Sequence, residues 1–93
     1  MITAIVFVKA DVARIPEVAE RIAALDGVSE VYSVTGDIDL IALVRVRDHE
    51  QIAAVVADRL NKVPGVRSTE THIAFRAYSM HDLEAAFSLG TSG

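Results

Sequence analysis

The sequence has 93 residues, which is enough for one small domain and too few for two. It contains no cysteine, so disulfides, thiolate metal sites and cysteine nucleophiles are excluded, and this composition fits a cytoplasmic protein. The net charge of −4, with nine Lys and Arg residues scattered along the chain, argues against direct binding of nucleic acid.

Apolar residues make up 52% of the sequence, which is more than the core of so short a domain needs. We therefore expect part of this apolar surface to lie in the interface of a homo-oligomer. No apolar run approaches the roughly 20 residues of a membrane span, so no membrane association is expected.

The first part of the chain has the pattern of a strand, a helix and a strand. Residues 2–9 are short and rich in β-branched side chains, which predicts a strand. Apolar residues recur at helical spacing over positions 14–25, and Pro16 lies near the start, where its missing N–H is tolerated. Gly27 is suited to end this helix, and a second strand is predicted over residues 28–35.

The same pattern follows a second time. Gly36 and Asp37 form a turn dipeptide, and residues 38–47 form the third predicted strand. Asp48 is a suitable N-cap for a helix over residues 50–62. The last strand is predicted over residues 66–77.

The two halves of the chain repeat each other at an interval of 38 residues, so that Ile2, Ala4 and Val6 align with Leu40, Ala42 and Val44. Two such units predict an α+β, ferredoxin-like βαββαβ domain over residues 1–78, a four-stranded antiparallel sheet with two helices on one face. Residues 79–93 are predicted to form a short C-terminal helix and a frayed tail.

The two faces of this sheet differ in their predicted environment. The even positions of the first and third strands are all apolar, and we assign them to the face covered by the helices. The opposite face carries Ile5, Phe7, Ile41 and Leu43, which a solvated face does not accommodate together. We expect this open face to pack against a second copy of the chain. The alternative is that the C-terminal segment covers it.

Motifs for catalysis, metals and cofactors are missing from the sequence. His49, His72 and His81 do not have the spacing of metal ligands, so no metal site is predicted. A Ser-His-Asp order with an elbow glycine does not occur, so no catalytic residue is predicted. Gly36 is not part of a phosphate-binding loop, and no cofactor is predicted.

The most informative local feature is the acidic turn. Asp37 and Asp39 follow Gly36, and Asp is disfavoured at the start of a strand, where Asp39 lies. A carboxylate held there is able to receive a ligand ammonium group, although ordinary turn chemistry also explains Gly36 and Asp37. Thr69 and Thr71 share one face of the last strand, where they either contact a ligand or only satisfy β-propensity.

Two segments carry a resemblance to a known family. Residues 27–40, GVSEVYSVTGDIDL, are similar to the segment GV-x-E-x-x-x-V-T-G-D-x-D-L of the ligand-binding domain of Lrp/AsnC transcription regulators. Residues 64–71, PGVRSTET, resemble the last strand of that domain, PGV-x-x-T-x-T. The resemblance covers roughly residues 2–77.

The resemblance implies more than the residue patterns do. Domains of this type dimerise through their sheets, assemble into closed rings that are often octamers, and bind amino acids or related metabolites between neighbouring dimers. The matching turn helps to line that cleft. The resemblance therefore implies ligand-binding roles for Gly36, Asp37 and Asp39, and secondarily for Thr69 and Thr71.

Two departures from the family pattern affect the functional hypotheses. Ile38 occupies a position where the family commonly has an aromatic residue, and the chain begins at the first strand without a helix-turn-helix domain. The leading hypothesis is a stand-alone, regulatory amino-acid-binding and oligomerisation module. The alternatives are an interaction protein that co-assembles with full-length Lrp/AsnC regulators and a small dimeric ferredoxin-like barrel enzyme.

Overall fold

The computed structural model describes residues 1–80 of the chain. The elements, in chain order, are β1 (Ile2–Ala10), α1 (Ile15–Ala23), β2 (Val28–Ser33), β3 (Leu40–Val46), α2 (His49–Val56) and β4 (Val66–Ile73), with 3₁₀ turns at Val12–Arg14 and Leu60–Lys62. The predicted C-terminal helix would begin at Ser79, so its body lies outside the described residues, as does His81.

The four strands form one antiparallel sheet in the order β2-β3-β1-β4. At its centre, Val6 of β1 pairs with Ala42 of β3 on one side and with Thr71 of β4 on the other. This order follows from two βαβ units whose first strands lie side by side, and it confirms the predicted ferredoxin-like βαββαβ fold.

One hydrophobic core lies between the sheet and the two helices. The even positions of β1 and β3 lie in it, as their alternation predicted, and all of them are buried except Ile2, which is partly buried. Val18 and Ile22 of α1 and Val55 of α2 pack into the same cluster. Each fully buried aliphatic side chain contributes about 1.5–3 kcal/mol relative to an exposed one, so this layer is the main source of stability.

The predicted helices are slightly too long at their C-terminal ends. Asp48 caps α2 as predicted, since its Oδ1 accepts a hydrogen bond from the Gln51 N–H at 3.0 Å. The helix ends at Val56 and not at residue 62, and the chain tightens into a 3₁₀ turn. Val63 is extended (ψ 125°), as a residue before proline prefers, so the helix cannot continue past it.

The connection between β2 and β3 is longer than the predicted dipeptide turn. β2 ends at Ser33 and β3 begins at Leu40, so residues 34–39 form a loop. A hydrogen bond from the Val34 N–H to the Asp39 carbonyl closes this loop at 3.1 Å. The last strand is also shorter than predicted, because β4 ends at Ile73. These corrections leave the order of the elements unchanged.

Candidate ligand-binding site

The acidic loop, residues 34–39, is held against the sheet by hydrogen bonds of its own backbone. The Asp39 N–H donates to the carbonyl of Val8 at 3.0 Å, which ties the loop to the C-terminal half of β1. Gly36 has φ +103°, in the left-handed region that glycine accepts without a steric penalty. The loop therefore presents Asp37, which is exposed, at a defined end of the sheet.

Asp39 has a role within the fold that local sequence does not reveal. Its Oδ2 accepts a hydrogen bond from the Ala10 N–H at 2.8 Å, where β1 changes register against β4 between Lys9 and Ala10. An irregularity of this kind leaves backbone groups without a ladder partner, and the carboxylate supplies one. A carboxylate has about four acceptor positions, so further hydrogen bonds remain open to Asp39.

The substitution Asp39→Ala is expected to lower the free energy of unfolding by about 1–3 kcal/mol, because it leaves the partly buried Ala10 N–H unpaired. Asp39→Asn keeps an acceptor oxygen at the same position, so it is expected to lower the free energy of unfolding by a smaller amount. Urea denaturation of both variants measures the difference. Wild-type stability of Asp39→Ala would contradict a structural role for this carboxylate.

An open cleft of about 400 Å³ lies between this loop and the adjoining ends of β1 and β4. Its lining residues are Phe7, Lys9, Asp37, Ile38, Ser68, Thr69 and Glu70. The cleft combines one ammonium group, two carboxylates and two apolar side chains. Such a set is able to pair with both charges of a zwitterion and to contact an apolar substituent.

The structure brings only some of the predicted site residues into the cleft. Asp37 and Thr69 line it, whereas Gly36, Asp39 and Thr71 do not. The hydroxyl of Thr69 donates to Asn61 Oδ1 at 2.6 Å. The register opposes Thr69 to Val8 and Thr71 to Val6, both of which belong to the helix-covered face. The two threonine side chains therefore point away from the open face.

Sequence reasoning did not include Phe7, Lys9, Ser68 or Glu70 in the site. The β1–β4 register opposes Phe7 to Glu70 and Lys9 to Ser68, which brings distant parts of the chain together at one end of the sheet. No local motif marks this pairing. The alternation within β1 and β4 is the only signal that would have placed these residues on a common face.

The face of the sheet opposite the helices carries an apolar patch, formed by Ile5, Phe7, Ile41 and Leu43. The register opposes Ile5 to Leu43 and Phe7 to Ile41 across the two central strands. All four side chains are half-buried. The patch adjoins the cleft through Phe7, so cleft and patch share one side chain.

Polar groups border the apolar patch on both sides. On β2, the Tyr32 hydroxyl donates to Glu30 Oε2, and this hydrogen bond to a carboxylate raises the pKa of Tyr32 above its ordinary value. On β4, His72 Nε2 and Glu70 Oε2 are hydrogen-bonded at 2.8 Å. The His72 ring centroid lies 5.1 Å from that of Phe7. An apolar centre with a polar border is typical of protein interfaces.

Metal-ligating side chains and membrane-spanning helices are two further features that bear on function. Within residues 1–80, no group of three or more His, Cys, Asp or Glu side chains is arranged to hold a metal ion. No helix in the part of the chain that the structure describes is long and apolar enough to span a bilayer.

Comparison with protein families accounts for this combination of fold, acidic loop and open face. Residues 3–83 match the family model of the Lrp/AsnC ligand binding domain. The chain belongs to this family. The match covers both βαβ units and the acidic loop, so the resemblance carried by residues 27–40 and 64–71 is confirmed.

Curated relatives of this Lrp/AsnC domain are longer proteins. The Pyrococcus horikoshii protein PH1916, named an uncharacterized HTH-type transcriptional regulator, is 44% identical over 59 residues, which are 63% of this chain and 39% of that protein. The Bacillus subtilis protein YugG, named in the same way, is 38% identical over 66 residues, or 71% of this chain and 39% of YugG. The chain thus matches less than half the length of either relative.

Solved structures show the same fold. The protein TTHA0845 from Thermus thermophilus is 48% identical, with a TM-score of 0.80 over 85% of this chain and 99% of that one. The Neisseria meningitidis transcriptional regulator NMB0573, solved as its complex with L-Met, superposes with a TM-score of 0.75 over 84% of this chain and 52% of that one. At 19% identity, the second likeness concerns the fold alone.

Proposed function

We propose that this Lrp/AsnC domain is a regulatory module that binds an amino acid or a closely related metabolite. The observation that carries the proposal is the cleft beside the acidic loop, which is lined by the charged residues Asp37, Glu70 and Lys9 together with the apolar residues Phe7 and Ile38. Membership in a family of ligand-binding domains supports the same conclusion.

In the proposed complex, the charges of the cleft recognise the charges of the ligand. The ligand ammonium group pairs with the carboxylate of Asp37 or Glu70, and its carboxylate pairs with the ammonium group of Lys9. Charge-assisted hydrogen bonds of this kind are roughly twice as strong as neutral ones. They give affinity for the amino-acid backbone common to all such ligands.

Selectivity among amino acids comes, in this proposal, from the apolar part of the cleft. Phe7 and Ile38 favour an apolar side chain over a charged one, because a buried charge without a partner is costly. The complex of NMB0573 with L-Met makes methionine a suitable first probe, although that protein shares only the fold with this chain.

We further propose that the domain works as a homodimer that assembles into a higher oligomer. The half-buried apolar patch supports association through the open face, since so contiguous an apolar surface usually marks an interface. The cleft is open to solvent on its own, and a neighbouring subunit placed over it would enclose the ligand.

A second candidate function is co-assembly with longer regulators of the same family. The apolar patch supports it, because a face that accepts its own copy also accepts a related domain. The curated relatives carry a matching segment that makes up 39% of each of their chains. The third interpretation, a small barrel enzyme, has no support from these relatives, which are named transcriptional regulators.

Asp37→Asn tests the ligand site. The variant keeps the shape of the side chain and removes its charge, so we expect the affinity for the bound amino acid to fall about tenfold or more, the effect of losing one charge-assisted hydrogen bond. Isothermal titration calorimetry measures this change.

The matched control is Asp58→Asn, which removes the same charge at an exposed position outside the cleft. It is expected to bind with wild-type affinity. If Asp37→Asn bound the amino acid as tightly as the Asp58→Asn control, Asp37 would not be part of the ligand site.

A further inference from the structure

A second cavity, of about 360 Å³, lies at the opposite end of the sheet from the acidic loop. It lies where the end of β3, helix α2 and the turn after α1 meet. Arg45 and Arg47 line it from β3, Arg59 from the region after α2, and Asp26 from the turn. From Ile41 to Arg47 the strand rises by about 20 Å, so this cavity is remote from the cleft.

The charge of the cavity is opposite to that of the chain. Three arginines and one aspartate line the cavity, in a protein whose net charge is −4. Among residues 1–80, neither Arg47 nor Arg59 forms an ion pair or a side-chain hydrogen bond. Arg45 has one ion pair, at the long distance of 3.8 Å from Glu30. The arginines are therefore not neutralised by the described fold.

The backbone around these arginines is fixed. The Arg47 N–H donates to Gln51 Oε1 at 2.8 Å, which joins the end of β3 to α2. Val46 and Val55, both nearly fully buried, also line the cavity and make part of its wall apolar. An apolar wall lowers the competition from water and strengthens the pairing of an anion with the arginines.

We propose that this cavity binds a small oxyanion, a phosphate or carboxylate group, at a site separate from the amino-acid cleft. A guanidinium group presents N–H donors in a planar fork that matches two oxygens of a phosphate or carboxylate. Arg47 and Arg59 are the main ligands, and Arg45 joins them by exchanging Glu30 for the anion. Such a site makes the module responsive to a second, anionic metabolite.

The test is titration of the full chain with inorganic phosphate and, in a separate arm, with succinate, both at constant ionic strength. We expect saturable binding of at least one of the two anions, and the tighter one identifies the chemical class. Arg59→Gln and Arg47→Gln are each expected to weaken that binding about tenfold. Arg67→Gln, an exposed arginine outside the cavity, is the control and is expected to bind normally.

The proposal would be overturned by an absence of saturable binding in both arms or by an equal loss in Arg67→Gln and Arg59→Gln. It would also be overturned by loss of anion binding in Lys9→Gln, which removes the ammonium group of the loop cleft and would place the anion there. Amino-acid titration of Arg59→Gln keeps the two sites distinguishable. This variant is expected to bind amino acids like the wild type, and a weaker affinity would contradict a site separate from the amino-acid cleft.

Discussion

The substitution Gly65→Ala is expected to lower the free energy of unfolding by about 3 kcal/mol, and two separate effects contribute to this loss. Gly65 has φ +99°, a conformation that costs a side-chain-bearing residue about 1–2 kcal/mol. A Cβ atom at this position would also lie 2.6 Å from Cγ2 of Val18, which is fully buried in the core. Relief of this overlap requires a shift of α1, at about 1–3 kcal/mol.

Gly36→Ala separates the two effects. Gly36 has a similar φ of +103°, but a Cβ atom there meets nothing within 4 Å. We expect this variant to lose only the backbone contribution of about 1–2 kcal/mol. Urea denaturation of both variants gives the comparison. Equal losses would show that Val18 accommodates the additional methyl group and that packing against Gly65 is not critical.

Leu43→Asp is expected to dissociate the proposed homodimer. Leu43 is one of the four residues of the apolar patch and lies opposite Ile5, and an aspartate there buries an unpaired charge in the proposed interface. A loss of about 2 kcal/mol in each copy counts twice in a symmetric dimer and raises the dissociation constant about a thousandfold. Size-exclusion chromatography with light scattering measures the change in mass, and circular dichroism verifies the fold.

Val12→Asp is the matched control for Leu43→Asp, because Val12 is 78% exposed and lies outside the sheet. It is expected to keep the wild-type mass. If both variants kept the wild-type mass, the open face would not be the interface. A wild-type monomer that associated only after addition of a longer family member would instead support co-assembly.

The architecture was predictable from sequence because the burial of this sheet follows a simple period. Apolar side chains occupy every second position over residues 2–8 and 40–46, and the repeat aligns these two segments. The central strands and their helix-covered face could therefore be predicted together. Asp48 was recognisable as a cap because a cap depends on residues within one turn. The ends of the helices and the length of the β2–β3 loop were not predictable, since they depend on how neighbouring elements pack.

The candidate site was only partly predictable, for a related reason. Asp37 was identified from the turn and lies in the cleft. The bond between Asp39 and Ala10 joins residues 29 positions apart, and it exists because β1 changes register there. Thr69 was predicted on a shared strand face, but its hydroxyl bonds to Asn61 on the side of the helices. Such contacts depend on the register between strands that are distant in the sequence, and this register cannot be predicted from the local sequence.

Thermal unfolding of the wild-type protein with each standard amino acid, with its mass determined in parallel, tests whether this domain binds an amino acid as an oligomer. A ligand at about 100 times its dissociation constant adds about 2.7 kcal/mol per site, which raises the melting temperature by several degrees. The proposed function predicts such a shift for one or a few amino acids, in a protein whose mass is that of an oligomer. A well-folded protein that none of them stabilises would contradict amino-acid binding by this domain.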